Sequence, residues 1–508
     1  MNAKMNKGVT GGAFLMGAGL LVSVVNYALS IVLSWTLTPD DYGRIGVSQG
    51  FIFLGVWFLV EGFPRVAART LSRVDEDGVT AVYPIIKGAL LGNLLLGLVI
   101  AGGLEVAYSA GILRLDGSYR LLLLWVSLTI LFLAVRMPFD AALQGRFRFG
   151  KLGVVRLVEV VLQFGTAVYL VRRGYGANGA LAGFAIGTGL SMLFSIWLAR
   201  DVPFLQARGW PAAEIIQALR PVLPFLIANL GGVLMLNVDL LAVKFLVPPE
   251  QSDLISGYYQ VTAVLARIPY FIAQILLLMV FPAVSRASKQ PAEANEIARQ
   301  GIQLILFGVL AINIILFAAP EAVIRFFFAP DYLVAANALR WQAVAVSFII
   351  TAIALAIISQ AQDETFWPAV ALPAGFVVQM AVAVWAIPRF LMMGAPVASG
   401  LAGLTALALM GQAVWRRFPG MLAISWQAVA KGLALLGLLL ACFVVMPPGG
   451  RPFTVVWGLV SVALYGTAVY KSGLIKPAFV LALFAGEKVE QEDALARETA
   501  MADPQPTT

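Results

Sequence analysis

Between residues 12 and 470 the chain is a succession of apolar stretches, about fourteen in number. Most approach the roughly 20 residues that a helix needs to cross a hydrocarbon core of about 30 Å. Polar connectors between them are short, so no inter-span segment is long enough to fold as a separate domain in water. The spans are expected at 12–37, 46–68, 82–104, 121–143, 153–171, 179–199, 221–243, 255–281, 301–320, 337–359, 366–388, 395–415, 427–446 and 453–470. This pattern predicts an all-α, polytopic membrane protein, and any chemistry must lie inside the bundle or at its rims.

Composition supports the same reading and removes several functions. The 508 residues are 60% hydrophobic and 12% charged, against about 25% charged in soluble domains. Lipid demands that deficit, because an ionised side chain at mid-membrane costs at least about 2.5–3.5 kcal/mol. The net charge of +8 is spread over the connectors and forms no single stripe, so nucleic acid is not an expected partner. The chain has no histidine, which removes His-based acid–base work, His metal sites and Ser-His-Asp triads. The single cysteine, Cys442, makes neither an internal disulfide nor a thiolate metal site alone. It reads as a small hydrophobe in an apolar run. No metal site and no organic cofactor are expected.

Charge also orients the chain. Lys4 and Lys7 precede a first run, Gly12 to Leu37, that is too long for a signal-peptide core. Connectors after even spans carry Arg69 and Arg73, Arg146, Arg148 and Lys151, Arg200, Arg208 and Arg220, Arg286, Lys289 and Arg299, and Arg416 with Arg417. Those after odd spans carry Asp40, Asp41, Asp116, Glu250, Asp253 and Asp331, with Arg172 and Arg173 against the trend. The Asp363-Glu364 connector after span 10 also runs against it. The positive-inside rule then places both termini in the cytoplasm of a plasma-membrane protein.

The halves repeat weakly. Leu37-Thr38-Pro39-Asp40-Asp41 closes span 1 and Leu246-Val247-Pro248-Pro249-Glu250 closes span 7, each leading to a Gly/Tyr pair, Tyr42-Gly43 and Gly257-Tyr258. Parallel repeats about the membrane normal occur in transporters. The expected organisation is an N-terminal lobe at 1–210 and a C-terminal lobe at 211–420. Two appended spans follow at 421–472, then a mostly disordered cytoplasmic tail at 473–508. The long connector at 200–220, with Phe204, Leu205 and Trp210 among arginines, is expected to lie in the cytoplasmic interface.

Residues that lipid should reject mark candidate sites. Glu61 and Arg65 are four apart in span 2, Arg136 and Asp140 four apart in span 4, and Arg156 and Glu159 three apart in span 5. Such spacings bring side chains together on one helix face. Asp239 and Lys244 in span 7 are five apart and fall on different faces, while Arg267 in span 8 has no acid within a turn. Glu61, Arg65, Asp239 and Arg267, deeper in their spans, are expected to line a cationic, aqueous cavity. Arg136, Asp140, Arg156, Glu159 and Lys244 form a secondary set; for Arg136, Arg156 and Lys244, near span ends, snorkelling or helix gluing is the plainer expectation. Arginine suits phosphate because its planar fork stays ionised and donates two parallel hydrogen bonds.

Gly174-Tyr-Gly176-Ala-Asn-Gly179 spells a dinucleotide fingerprint with Asp201 downstream, yet the residues from Ala180 to Leu198 form one apolar helix. No strand can present the acid, so the glycines are expected to form a tight turn, with Gly179 and Gly183 packing helices closely. Pro64, Pro138, Pro224, Pro269, Pro282 and Pro373 should break or kink their spans.

These residues resemble a known family. Leu37-Thr-Pro-Asp-Asp-Tyr-Gly43, Asn237-Val-Asp239-Leu-Leu, Gly257-Tyr-Tyr-Gln260, the Gly174–Gly183 turn and Phe281-Pro282-Ala-Val-Ser285 are similar to the polysaccharide-export, Wzx-like branch of the MOP flippase superfamily. The resemblance implies two six-helix lobes in a V plus two appended helices. It implies a non-enzymatic function, moving a polyprenyl-diphosphate-linked oligosaccharide across the plasma membrane by alternating access. By that analogy Arg65 and Arg267 hold the diphosphate, and Glu61 and Asp239 pair with them in the empty state. A coupling ion, H+ or Na+, is left open. Implied partners are the lipid-linked saccharide, membrane lipids and other membrane proteins of polysaccharide assembly. Span 1 lacks the basic residue found in related lipid II flippases. A multidrug or other lipid exporter of the superfamily is the first alternative, and a membrane-embedded glycosyltransferase or ligase the second.

Overall fold

The computed structural model describes residues 2–72, 79–201, 223–423, 426–445, 451–474 and 479. The connector expected in the interface and nearly all of the tail lie outside these residues. Among the described residues every regular element is a helix.

In chain order these are α1 (Asn2–Thr36), α2 (Pro39–Glu61), α3 (Phe63–Ser72), α4 (Val79–Ser109), α5 (Tyr119–Gly145), α6 (Phe149–Leu170) and α7 (Gly176–Leu198). There follow α8 (Leu223–Leu246), α9 (Pro249–Ala266), α10 (Ile268–Ala287), α11 (Pro291–Ala318), α12 (Pro320–Phe327), α13 (Ala336–Gln360), α14 (Phe366–Phe390), α15 (Gly394–Arg417), α16 (Trp426–Val444) and α17 (Arg451–Lys471). Eleven stretches are long and apolar enough to cross a membrane. Four of them hold two α-helices each: Phe149–Leu198 and Phe366–Arg417 hold pairs joined by turns, and Pro39–Ser72 and Pro249–Ala287 hold pairs joined at a break. The chain is a multi-pass membrane protein.

Helices α1 to α7 pack mainly among themselves, chiefly α6 on α7 and α1, and α5 on α4 and α7. Helices α8 to α15 do likewise, through α14 on α15 and α8, and α13 on α15. These two groups meet where α2 lies against α9 and α8, and α16 with α17 packs on the outside of α11. Small residues let the central helices approach closely, as membrane interfaces require. A Cβ on Gly183 would fall 2.3 Å from the Ala167 nitrogen, and one on Gly187 2.6 Å from Gln163. The expected Gly179–Gly183 contact face is therefore real and extends one turn further. Gly174 and Gly176 have φ of +90° and +54°, so both glycines are needed for the α6–α7 turn.

Two expected single spans are broken helices. In span 2 the helix begins at Pro39, where Thr38 Oγ1 accepts from Asp41 N, and it breaks at Gly62 ahead of Pro64. In span 8 it begins at Pro249 and breaks at Arg267 ahead of Pro269. Proline removes a donor and crowds the preceding turn. Pro138, Pro282 and Pro373 by contrast run inside continuous helices.

Candidate functional site

The two broken helices lie on the seam between the groups, and each break carries an arginine. Arg267 occupies the break between α9 and α10, where its guanidinium reaches across to α8. Its Nε donates to the Leu236 carbonyl at 2.9 Å, and its Nη2 donates to Asp239 Oδ1 at 3.3 Å. Asp239 is almost fully enclosed, its side chain 2% exposed against 23% for Arg267. Tyr259 OH (2.8 Å) and Gln342 Nε2 (3.2 Å) donate to its other oxygen, and the Leu240 amide donates to Oδ1 at 2.9 Å. The carboxylate is therefore held from α8, α9, α13 and the break, while the Arg267 side chain stays partly exposed. Tyr27 of α1 lies within electrostatic reach of Arg267. Its ring packs edge-on against Phe271, four residues beyond the arginine.

Arg65 sits just past the other break. Its Nη2 donates to Glu61 Oε1 at 3.0 Å, and Nη1 lies 2.5 Å from Oε2. The guanidinium also covers the Phe225 ring of α8, 5.3 Å from its centroid, which carries the contact across the seam. Its side chain is 42% exposed. Glu61 in turn is within electrostatic reach of Tyr270 of α10. The pairs Glu61–Arg65 and Asp239–Arg267 thus both exist, and both border the seam.

Helical rise sets their depths. Arg44 and Asp253 are bonded to each other near the starts of α2 and α9. From there Arg267 is 14 residues along and Arg65 is 21 along, which at 1.5 Å per residue is about 21 Å and about 31 Å. The arginines are therefore staggered by about 10 Å, Arg65 lying nearer the opposite end. The expected span of 46–68 put Arg65 too deep, because the helix starts seven residues earlier.

The secondary residues part into two places. Arg136, Asp140, Glu159 and Arg156 form a closed network inside the first group. Arg136 Nε donates to Asp140 at 3.2 Å, Arg136 also pairs with Glu159, and its Nη1 donates to Ser191 at 2.9 Å. Ser195 donates to Asp140 at 2.7 Å, and Arg156 reaches the same carboxylate at 3.7 Å. The expected Arg156–Glu159 pair is not formed; Glu159 turns to Arg136 on α5, and Arg156 reaches Asp140, which keeps Arg136 as well. Arg136 is 0% exposed, so it does not snorkel. Lys244 is buried as well and pairs with Asp253.

Sequence reasoning missed Asp253, Arg44 and Tyr119, which join at the seam far from the two breaks. The signal available was the Gly43 and Gly257 repeat, since those glycines touch.

The chain's relatives agree with this architecture. The model of a family described as polysaccharide biosynthesis protein matches residues 32–337. No curated protein matches the chain in sequence. Among solved structures, the lipid II flippase MurJ in an inward closed conformation superposes with a TM-score of 0.67 at 14% identity, over 94% of this chain and 99% of that one. An inward-facing multidrug resistance MATE family transporter of the MOP superfamily gives 0.58 at 17% identity, over 78% and 95%. An outward-facing one gives 0.55 at 17% identity, over 83% and 97%. These likenesses show the shared fold. A family match over more than half of the chain shows the rest: this is a member of the polysaccharide biosynthesis protein family, built on the MOP-transporter fold.

Proposed function

We propose that the protein is a flippase that carries a polyprenyl-diphosphate-linked oligosaccharide across the plasma membrane by alternating access, with both termini in the cytoplasm. One observation carries the reading: two broken membrane helices meet at one seam, and each break presents an arginine whose only charged partner among the described residues is an adjacent carboxylate. Discontinuous helices commonly form transporter binding sites, because irregular backbone at depth is tolerated where it lines a cavity.

The chemistry follows from the pairs. An arginine–carboxylate pair is neutral and can be held in the membrane while the site is empty. A diphosphate offers the same fork of oxygens as a carboxylate, with more charge, so it can replace Glu61 and Asp239 on their arginines. The stagger of about 10 Å suits a headgroup taken first at the more exposed Arg65 and then at Arg267. Displaced Asp239 and Glu61 are where an ion, H+ or Na+, would be coupled. The cargo would be lipid-linked saccharide drawn from the surrounding membrane lipids, with other assembly proteins supplying and consuming it. Family membership supports polysaccharide as the pathway, and α1 has no basic residue between Lys7 and its end, unlike related lipid II flippases.

Export of surface polysaccharide in cells carrying Arg267→Ala tests the reading. The expected result is loss of polymer well beyond any fall in protein level; unchanged export would remove Arg267 from the mechanism.

A further inference from the structure

The starts of α2 and α9 cross at two glycines. A Cβ on Gly257 would fall 1.9 Å from the Pro39 carbonyl oxygen, and one on Gly43 would fall 2.2 Å from the Asp253 carbonyl oxygen. Backbones this close pack directly on each other, as small residues allow in membrane interfaces. Polar contacts lie alongside. Arg44 of α2 donates from Nε to Asp253 Oδ2 at 3.0 Å, and Tyr119 of α5 donates to Oδ1 at 2.7 Å. From the other group, Lys244 of α8 donates to the same Oδ1 and to Ser252 at 2.9 Å, with its ammonium 4.7 Å from the centre of the Tyr119 ring. One carboxylate on α9 thus gathers two donors from the first group and one from its own. Asp41 is the second acid on Arg44, at 3.3 Å, and Asp116 lies within electrostatic reach of it.

The same end is sealed by rings and by one further bond. Tyr332, in the turn before α13, packs edge-on against Tyr42, Tyr258 and Phe328 at 5.5–6.3 Å. Trp35 Nε1 donates to the Phe327 carbonyl at 2.9 Å.

We propose that Asp253 is a latch that keeps this end of the seam closed, so that the end opens only when Arg44 and Tyr119 part from it. The latch is separate from the cargo site, lying about 21 Å along the helix from Arg267. Its use in transport rests on the alternating-access reading above; its effect on the closed state does not. Neutralising Asp253 leaves Lys244 buried without the one carboxylate paired with it among the described residues. A buried charge stripped of its partner strongly disfavours the state that buries it. Opening hydrates Lys244 and Arg44, so the equilibrium moves toward the open end.

The test uses full-length protein in proteoliposomes, in a Cys442→Ala background with Val47→Cys, a fully buried α2 position near the crossing. The readout is the rate of modification by a membrane-impermeant maleimide. Asp253→Asn and Arg44→Gln should each raise that rate at least about tenfold, a shift of about 1.4 kcal/mol. Ala180→Cys, buried within the first group, should stay unreactive in the same variants and reports on folding. If it also reacts, Tyr119→Phe replaces them as the milder variant, with a smaller rise at Val47→Cys. Protected Val47→Cys in a folded variant overturns the latch. Labelling needs no cargo, so a latch that holds while Arg267→Ala leaves export unchanged would fault only the cargo reading.

Discussion

Asp239 accepts a hydrogen bond from Arg267 at 3.3 Å while lying almost wholly out of contact with solvent, and it does so from the interior of a membrane helix. Such a carboxylate is costly alone, and the arginine at the α9–α10 break makes it tolerable. The pair therefore serves folding and offers a site, and the two roles can be separated. Arg267→Gln should destabilise the protein by about 3 kcal/mol, because it leaves Asp239 buried and unpaired. Asp239→Leu with Arg267→Met should recover most of that stability yet remain inactive in export. Thermal unfolding in detergent beside an export assay reads both.

Arg65 makes the complementary case. With its side chain 42% exposed, its pair with Glu61 should contribute no more than about 1 kcal/mol. Arg65→Ala should leave the melting temperature near that of the parent while sharply lowering export. Arg65→Lys keeps the charge without the planar fork and should restore export only in part. Equal export by all three proteins would take Arg65 out of the site.

Gly257→Ala places a methyl group against the Pro39 carbonyl, where no flexible side chain can yield. Backbone must move, at a cost of about 1–3 kcal/mol for overpacking. The seam rather than the fold should give way, so cross-linking between α2 and α9 should fall while expression persists.

Arg136→Met should behave differently, because it strands Glu159 and leaves Asp140 only the more distant Arg156 inside the first group. A loss of about 3–5 kcal/mol is expected, seen as poor expression. Well-expressed Arg136→Met that fails in export would instead assign the network a part in transport.

The membrane class and the in-helix pairs were legible because their causes are local. Apolar length announces a span, and four-residue spacing announced Glu61–Arg65 and Arg136–Asp140. Partners on other helices were not legible, since nothing in the order of residues ties Arg267 to Asp239 more than to any other acid. Asp253 reads as a connector residue because hydropathy ignores capping. Pro249 and Glu250 are start signals of a helix, as are Thr38, Pro39 and Asp40 in α2. Reading those signals moves both helix starts outward and brings Arg44 and Asp253 into the bundle. It also lifts Arg65 toward the opposite end, where the structure has it.

Lipid extraction from cells lacking the protein identifies the cargo. Accumulation of a diphosphate-linked oligosaccharide, reversed by the parent protein and not by Arg267→Ala, is the result expected. Normal lipid-linked saccharide and normal surface polymer, with altered drug sensitivity alone, would contradict it.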